Sequence, residues 1–277
     1  MIGYDSHVHT SFSTDSDTPM EDMVRQGIRN GLKGIVFTDH MDFNFPLKYR
    51  WDTSSGMPPF LFSLPDYHSC VRELKRKYKN DIQIFFGVEM GLKMDARTEN
   101  HALCLTDWLD YTIGSVHLVD NIDPYYPEYW NTYEEEKGIS RYFEVTLENL
   151  KGLENTKIDT LGHLDYIVRY SPSGYALYSY RKFADIIDEI LRCLIERGIS
   201  LEINTSGYKN GGTMPNPNEE ILCRYQELGG EMITFGSDAH MTEYLASHFQ
   251  EAEKIARNAG FEYYTTFVKH KPTFHSF

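Results

Sequence analysis

The chain has 277 residues, 41% hydrophobic and 14% aromatic, enough to fill the core of one large domain spanning 1–277. Its 27 Lys and Arg against 41 Asp and Glu give a net charge of −14, which argues against nucleic acid as a bulk partner but not against one small anion held beside bound cations. No run approaches the roughly 18 apolar residues of a membrane span. The opening Ile2-Gly3-Tyr4 reads directly as a strand, without the charged and apolar regions of a signal peptide, so a cytosolic protein is expected.

In chain order, Asp5-Ser6-His7-Val8-His9 ends the first strand with two imidazoles two residues apart, on one face of an extended chain. Thr18-Pro19-Met20-Glu21 reads as a capping box with proline at the first helical position. Met23, Val24, Gly27, Ile28 and Leu32 follow at helical spacing, and Gly31 and Gly34 stop the helix. Residues 34–37 form a strand that ends in Thr38-Asp39-His40; residues 82–88 end in Glu89; residues 111–116 end in His117. Residues 158–161 lead to Gly162-His163-Leu164-Asp165, residues 199–203 to Asn204, and residues 232–236 to Ser237-Asp238-Ala239-His240. Helices are expected over 66–79, 97–107, 140–154, 181–198, 217–229 and 242–259, and this alternation favours a parallel sheet. Cys70, Cys104, Cys193 and Cys223 fall in the helical stretches without close pairing, as reduced thiols do. Two irregular stretches, 41–64 and 118–138, are rich in aromatics and proline, and we read them as substrate walls on the strand-end rim.

A single histidine at a strand end is more often structural than a ligand. That reading fails for His7, His9, His40, His117, His163 and His240 together, because strand ends on one rim of a barrel converge in space. Imidazole and carboxylate, with no thiolate among them, suit zinc, manganese or iron. The donors exceed what one tetrahedral ion uses, so two to three ions bridged by a carboxylate are expected, able to activate a water as hydroxide and clamp a phosphate. Arg169 and Lys209, in loops on the same rim, are the candidate phosphate-binding cations. Asp42 is the candidate partner for a substrate ammonium or imidazole. Asp238 and His240, two apart, are candidates for protonating a leaving alkoxide. His68, His101 and His248, in helical stretches, and His270 and His275, in the tail without a carboxylate cluster, are read as structural.

These motifs resemble the polymerase and histidinol phosphatase (PHP) family. The likeness rests on Asp-x-His-x-His-Thr from Asp5, Thr-Asp-His ending at His40, Gly-x-Glu ending at Glu89, Ser-Val-His ending at His117, Gly-His-x-Asp from Gly162 and Ser-Asp-Ala-His from Ser237. Length, the position of Asp15 and the Asp-His-Met-Asp-Phe stretch from Asp39 make the chain most similar to the monofunctional L-histidinol-phosphate phosphatases within that family. The resemblance implies a distorted (β/α)7 TIM-like barrel of a single domain, with one ion on His7, His9, Glu89 and Asp238. It implies a second ion on His117 and His163, bridged by Glu89, and a third on Asp15, His40 and His240. Many relatives carry histidine where this chain has Asp15. The implied activity is hydrolysis of L-histidinol phosphate in histidine biosynthesis. The competing readings are a phosphatase or phosphodiesterase acting on nucleotides or another small phosphate ester, and a noncatalytic metal-binding accessory domain of the kind polymerases carry.

Overall fold

The structure is a computed structural model and describes residues 2–49, 57–176 and 178–277. Its strands are β1 (Tyr4–Val8), β2 (Gly34–Phe37), β3 (His40–Met41), β4 (Gln83–Gly91), β5 (Tyr111–Ser115), β6 (Thr160–Leu161), β7 (Ser200–Asn204) and β8 (Ile233–Gly236), followed by β9 (Tyr263–Val268) and β10 (Lys271–Ser276). The helices are α1 (Met20–Arg29), α2 (Leu64–Lys77), α3 (Arg97–Cys104), α4 (Pro127–Thr132), α5 (Glu135–Gly152), α6 (Ala184–Arg197), α7 (Glu219–Glu227) and α8 (Phe249–Asn258). The sheet runs β1-β2-β4-β5-β6-β7-β8 with every neighbour parallel, and the short β3 adds to β4. Most of its strand residues are buried, which is why the strands read as nearly continuous apolar runs.

The ring of strands closes at the rim. There the Asp238 N–H donates to the His7 carbonyl (2.8 Å) and the His9 N–H to the Ala239 carbonyl (2.9 Å), drawing the end of β8 onto the end of β1. Away from the rim, Tyr264 of β9 accepts from the Gly3 N–H (3.1 Å) and packs edge-on against Phe235. The result is a nearly closed barrel of seven parallel strands, as expected. Among the described residues no helix is long and apolar enough to cross a membrane.

Several local expectations are corrected. The helix beginning near residue 20 has no capping box: Pro19 is its N-cap, and the Thr18 hydroxyl instead donates to the His240 carbonyl (2.8 Å), pinning the site rim. Gly31, at φ +73, does end the helix, whereas Gly34 starts β2. The helix expected over 242–259 begins only at Phe249, because His248 holds a left-handed φ of +58 and breaks the pattern. The stretch 118–138 contains α4 and the first turn of α5. Within 41–64, residues 50–56 lie outside the described residues.

The tail expected after residue 259 is an antiparallel hairpin, β9 and β10. His270 at its turn is not without a carboxylate: its Nδ1 lies 2.7 Å from Asp159 Oδ2, and its backbone N–H donates to the Asp110 carbonyl. Asp110 and Asp159 precede β5 and β6, so the hairpin covers the N-terminal end of the barrel, opposite the strand-end rim.

Candidate metal centre

β4 is the longest strand of the barrel, and its extra length carries Glu89 into the rim, level with His40 of β3. Three imidazole nitrogens surround Glu89 Oε2: His40 Nδ1 at 3.0 Å, His7 Nε2 at 3.2 Å and His9 Nε2 at 3.3 Å. On the other side, Oε1 meets His163 Nε2 at 2.9 Å and His117 Nε2 at 3.1 Å. Asp238 Oδ1 completes the first group, 3.4 Å from His9 Nε2 and 3.7 Å from His7 Nε2. Asp15 Oδ2 lies 3.2 Å from His240 Nε2 and 3.5 Å from His40 Nε2. All nine expected donors therefore come together. The partition among ions is less sharp than the resemblance implies, since His40 faces both Asp15 and Glu89.

The donor set fits cations. Among the described residues the buried Glu89 Oε2, His40 Nδ1 and His163 Nδ1 have no hydrogen-bond partner. Such groups are costly to bury unless a positive charge sits among them. Burial pulls His7 toward neutrality, yet Glu202, Glu89 and Asp238 attract a proton strongly enough to hold it well above its ordinary range. Against the same burial, Asp42 and Glu89 push His117 up to about 10. A metal ion would displace those protons and take the same donors.

The PHP domain model matches residues 5–206. The chain is 32% identical over 255 residues to a probable histidinol-phosphatase of Clostridium acetobutylicum, covering 92% of this chain and 93% of that one. It is 32% identical over 266 residues to the histidinol-phosphatase of Lactococcus lactis, covering 95% and 93%. Among solved structures it is similar to a Lactococcus lactis histidinol phosphate phosphatase complexed with zinc, L-histidinol and phosphate. That similarity has a TM-score of 0.85 and 30% identity, over 98% of both chains. The chain belongs to the PHP domain family.

The PHP match ends at residue 206, so the structure rather than the match brings Asp238 and His240 to the other seven donors. A cavity of about 200 Å³ opens on seven of the nine, all but His7 and His9, and is lined also by Asp42, Asp123, Arg169, Phe45 and Phe60. Arg169 lies in the short helical turn Tyr166–Tyr170, and its Nη2 donates to Ser206 Oγ (2.6 Å) and Asn216 Oδ1 (3.3 Å). Ser206 in turn donates to Asp238 Oδ2 (2.9 Å), which ties the guanidinium to the metal-side carboxylate. Lys209 is placed differently. It does not line the cavity; its Nζ donates to the Asp238 carbonyl (2.9 Å) over the Tyr244 ring, and burial lowers its pKa. Asp42 lines the cavity, but Oδ1 and Oδ2 lie 2.9 and 3.1 Å from His117 Nδ1, so it orients that imidazole.

Sequence reasoning missed the groups that orient this PHP site from behind. Glu202 of β7 is buried and lies 2.6 Å from His7 Nδ1, while its other oxygen accepts from the His163 N–H (2.8 Å). Gly236 makes room for that contact, because a Cβ there would run into Glu202 and the Cβ of His7. Ser13 Oγ sits 3.0 Å from His9 Nδ1 and donates to Asp39 (2.7 Å), which also gathers the Thr10 N–H and hydroxyl. One signal was legible: Glu202 is a lone charge inside Leu201–Ile203, at a position a barrel strand buries.

Proposed function

We propose that this PHP protein is a cytoplasmic, metal-dependent phosphomonoesterase that hydrolyses L-histidinol phosphate to L-histidinol and inorganic phosphate, a step of histidine biosynthesis. The observation that carries this reading is the end-to-end likeness to a phosphatase holding zinc, L-histidinol and phosphate, in a chain whose own rim gathers eight clustered metal-type donors, with Asp15 beside two of them, at a small cavity.

In the reaction a water oxygen bonds to phosphorus, the bond from phosphorus to the histidinol oxygen breaks, and the leaving alkoxide takes a proton. Two to three bound ions, for which zinc, manganese and iron all suit the donors, supply charge neutralisation of the phosphate and acidify a water. The chain's own residues position the rest. Glu89, with imidazoles at both oxygens, is held ionised at the centre. Arg169 is fixed through Nη2, and its other N–H groups have no hydrogen-bond partner among the described residues, so they are open to two phosphate oxygens. Asp238 and His240 line the cavity and are the proton carriers nearest at hand for the alkoxide. Asp42, Ser13 and Glu202 keep the imidazole rings in orientation.

Steady-state kinetics over histidinol phosphate, nucleoside monophosphates and an aryl phosphate test the substrate assignment. Histidinol phosphate should show the highest kcat/KM. A nucleotide turned over more efficiently would replace the assignment with the wider small-ester activity of the fold.

A further inference from the structure

The cavity lining divides by chemistry. Beside the metal donors and Arg169 stands an aromatic wall: Tyr166 and Tyr170 meet at 5.0 Å, Tyr170 and Tyr125 at 5.5 Å, and Phe45 and Phe60 at 4.6 Å. Asp123 is set into this wall, 9% exposed and lining the cavity. Its backbone N–H donates to the Tyr49 hydroxyl (3.1 Å), and its Oδ1 accepts from the Tyr125 N–H (2.9 Å). Among the described residues no side chain hydrogen-bonds or ion-pairs with its carboxylate, and the charges that act on it across the cavity are His117 and Asp42. Burial pushes its pKa up to about 6, against the pull of the Tyr125 N–H and of His117. The bland account is a structural turn, since an Asp side chain accepting from the N–H two residues on is a common loop device that Asn performs equally well. That account explains Oδ1. It leaves the charge itself, buried on a cavity whose lining it shares with Tyr125, Tyr166 and Tyr170, without a purpose.

Resting on the phosphatase reading above, we propose that Asp123 is the seat for the positively charged part of the substrate's alcohol, a protonated amine or imidazolium. Tyr125, Tyr166 and Tyr170 give that cation ring faces, and the pocket selects phosphate esters whose leaving alcohol is cationic. Arg169 and the metal donors take the dianionic end, so one cavity reads both charges of a zwitterionic ester. Asp42, the sequence candidate for this contact, lines the same cavity, with its two oxygens 2.9 and 3.1 Å from His117 Nδ1.

The test compares metal-replete wild type with Asp123→Asn, which preserves the turn hydrogen bond and removes only the charge, and with Asp123→Glu. Substrates are histidinol phosphate, phosphoethanolamine and a neutral alkyl phosphate; inhibitors are L-histidinol and inorganic phosphate. In Asp123→Asn the preference for histidinol phosphate over the neutral ester should fall by at least about tenfold. L-Histidinol should weaken as an inhibitor by a similar factor while inorganic phosphate stays within about twofold. Asp123→Glu should recover part of the preference. A preference and L-histidinol inhibition unchanged in Asp123→Asn would leave only the turn and overturn the seat. Parallel loss of phosphate inhibition or of bound metal would make the residue structural and overturn it as well. Wild-type enzyme that ignores histidinol phosphate but prefers phosphoethanolamine to the neutral ester, a preference Asp123→Asn abolishes, would defeat the histidinol reading and keep the seat.

Discussion

At Glu89 two carboxylate oxygens meet five imidazoles from four separate strand ends, and this residue joins what are otherwise two groups of donors. Glu89→Gln keeps the size and removes the charge. We expect turnover to fall by about 100-fold or more and at least one equivalent of metal to be lost, read by elemental analysis of the purified protein. Full metal content with near-normal turnover would show that Glu89 does not bridge. The two cations give a contrasting pair. Arg169→Ala should leave the metals bound yet lower kcat/KM for histidinol phosphate by about 100-fold, because a shielded guanidinium held in a bonded network is worth far more than a solvated one. Lys209→Ala, which removes contacts to the Asp238 carbonyl and the Tyr244 ring outside the cavity, should cost less. Wild-type efficiency in Arg169→Ala would mean that metals and backbone alone bind the phosphate. Eight of the nine donors were legible because each lies at the end of an apolar run, whereas Asp15, in the turn after β1, came only from the family resemblance. Glu202, Ser13 and Asp39 were not, since nothing in a single sequence says which face of a strand points at which imidazole.

Among the elements, the hairpin of β9 and β10 has the clearest separable role. Phe267 is buried, stacks on Tyr111 at 5.4 Å and packs with Val36 and Ile113, at the barrel end away from the metal donors. Phe267→Ala should cost about 3–5 kcal/mol of stability, seen in denaturant titration, while the folded fraction keeps its kcat and its metal. A variant of normal stability, or one that loses metal while folded, would contradict that separation. The hairpin was not legible in the sequence: Lys269 and His270 turn at positive φ without a glycine, so the usual signal of a tight turn is missing. The start of α8 was misjudged for a related reason, since Thr242 and Leu245 keep helical spacing with the residues after His248. The start of α1 was misread because Thr18, chemically suited to capping, is drawn to His240.

Over the whole molecule, the alternation of strands and helices and the polar strand ends foretold a parallel sheet with its chemistry at one rim, and the family resemblance made it a seven-stranded barrel. Loop conformation was harder, because the walls of the cavity are set by ring contacts between residues far apart in sequence, such as Tyr125 with Tyr170. The centre also couples to pH as a unit. The carboxylates raise His7, His40 and His117 above their ordinary range, so in the metal-free protein these sites are protonated at neutral pH and metal binding must release protons. Metal affinity should therefore weaken steadily as pH falls from about 8 to 6, measured by competition with a chromophoric chelator; a flat profile would mean that the ions do not use these imidazoles. The most direct test of the account is the rate of inorganic phosphate release from L-histidinol phosphate by the protein as purified, after chelation, and after metal is restored. The account predicts turnover that vanishes on chelation and returns with zinc, manganese or iron. Undiminished turnover in the fully chelated protein, or none in the metal-replete protein, would contradict it.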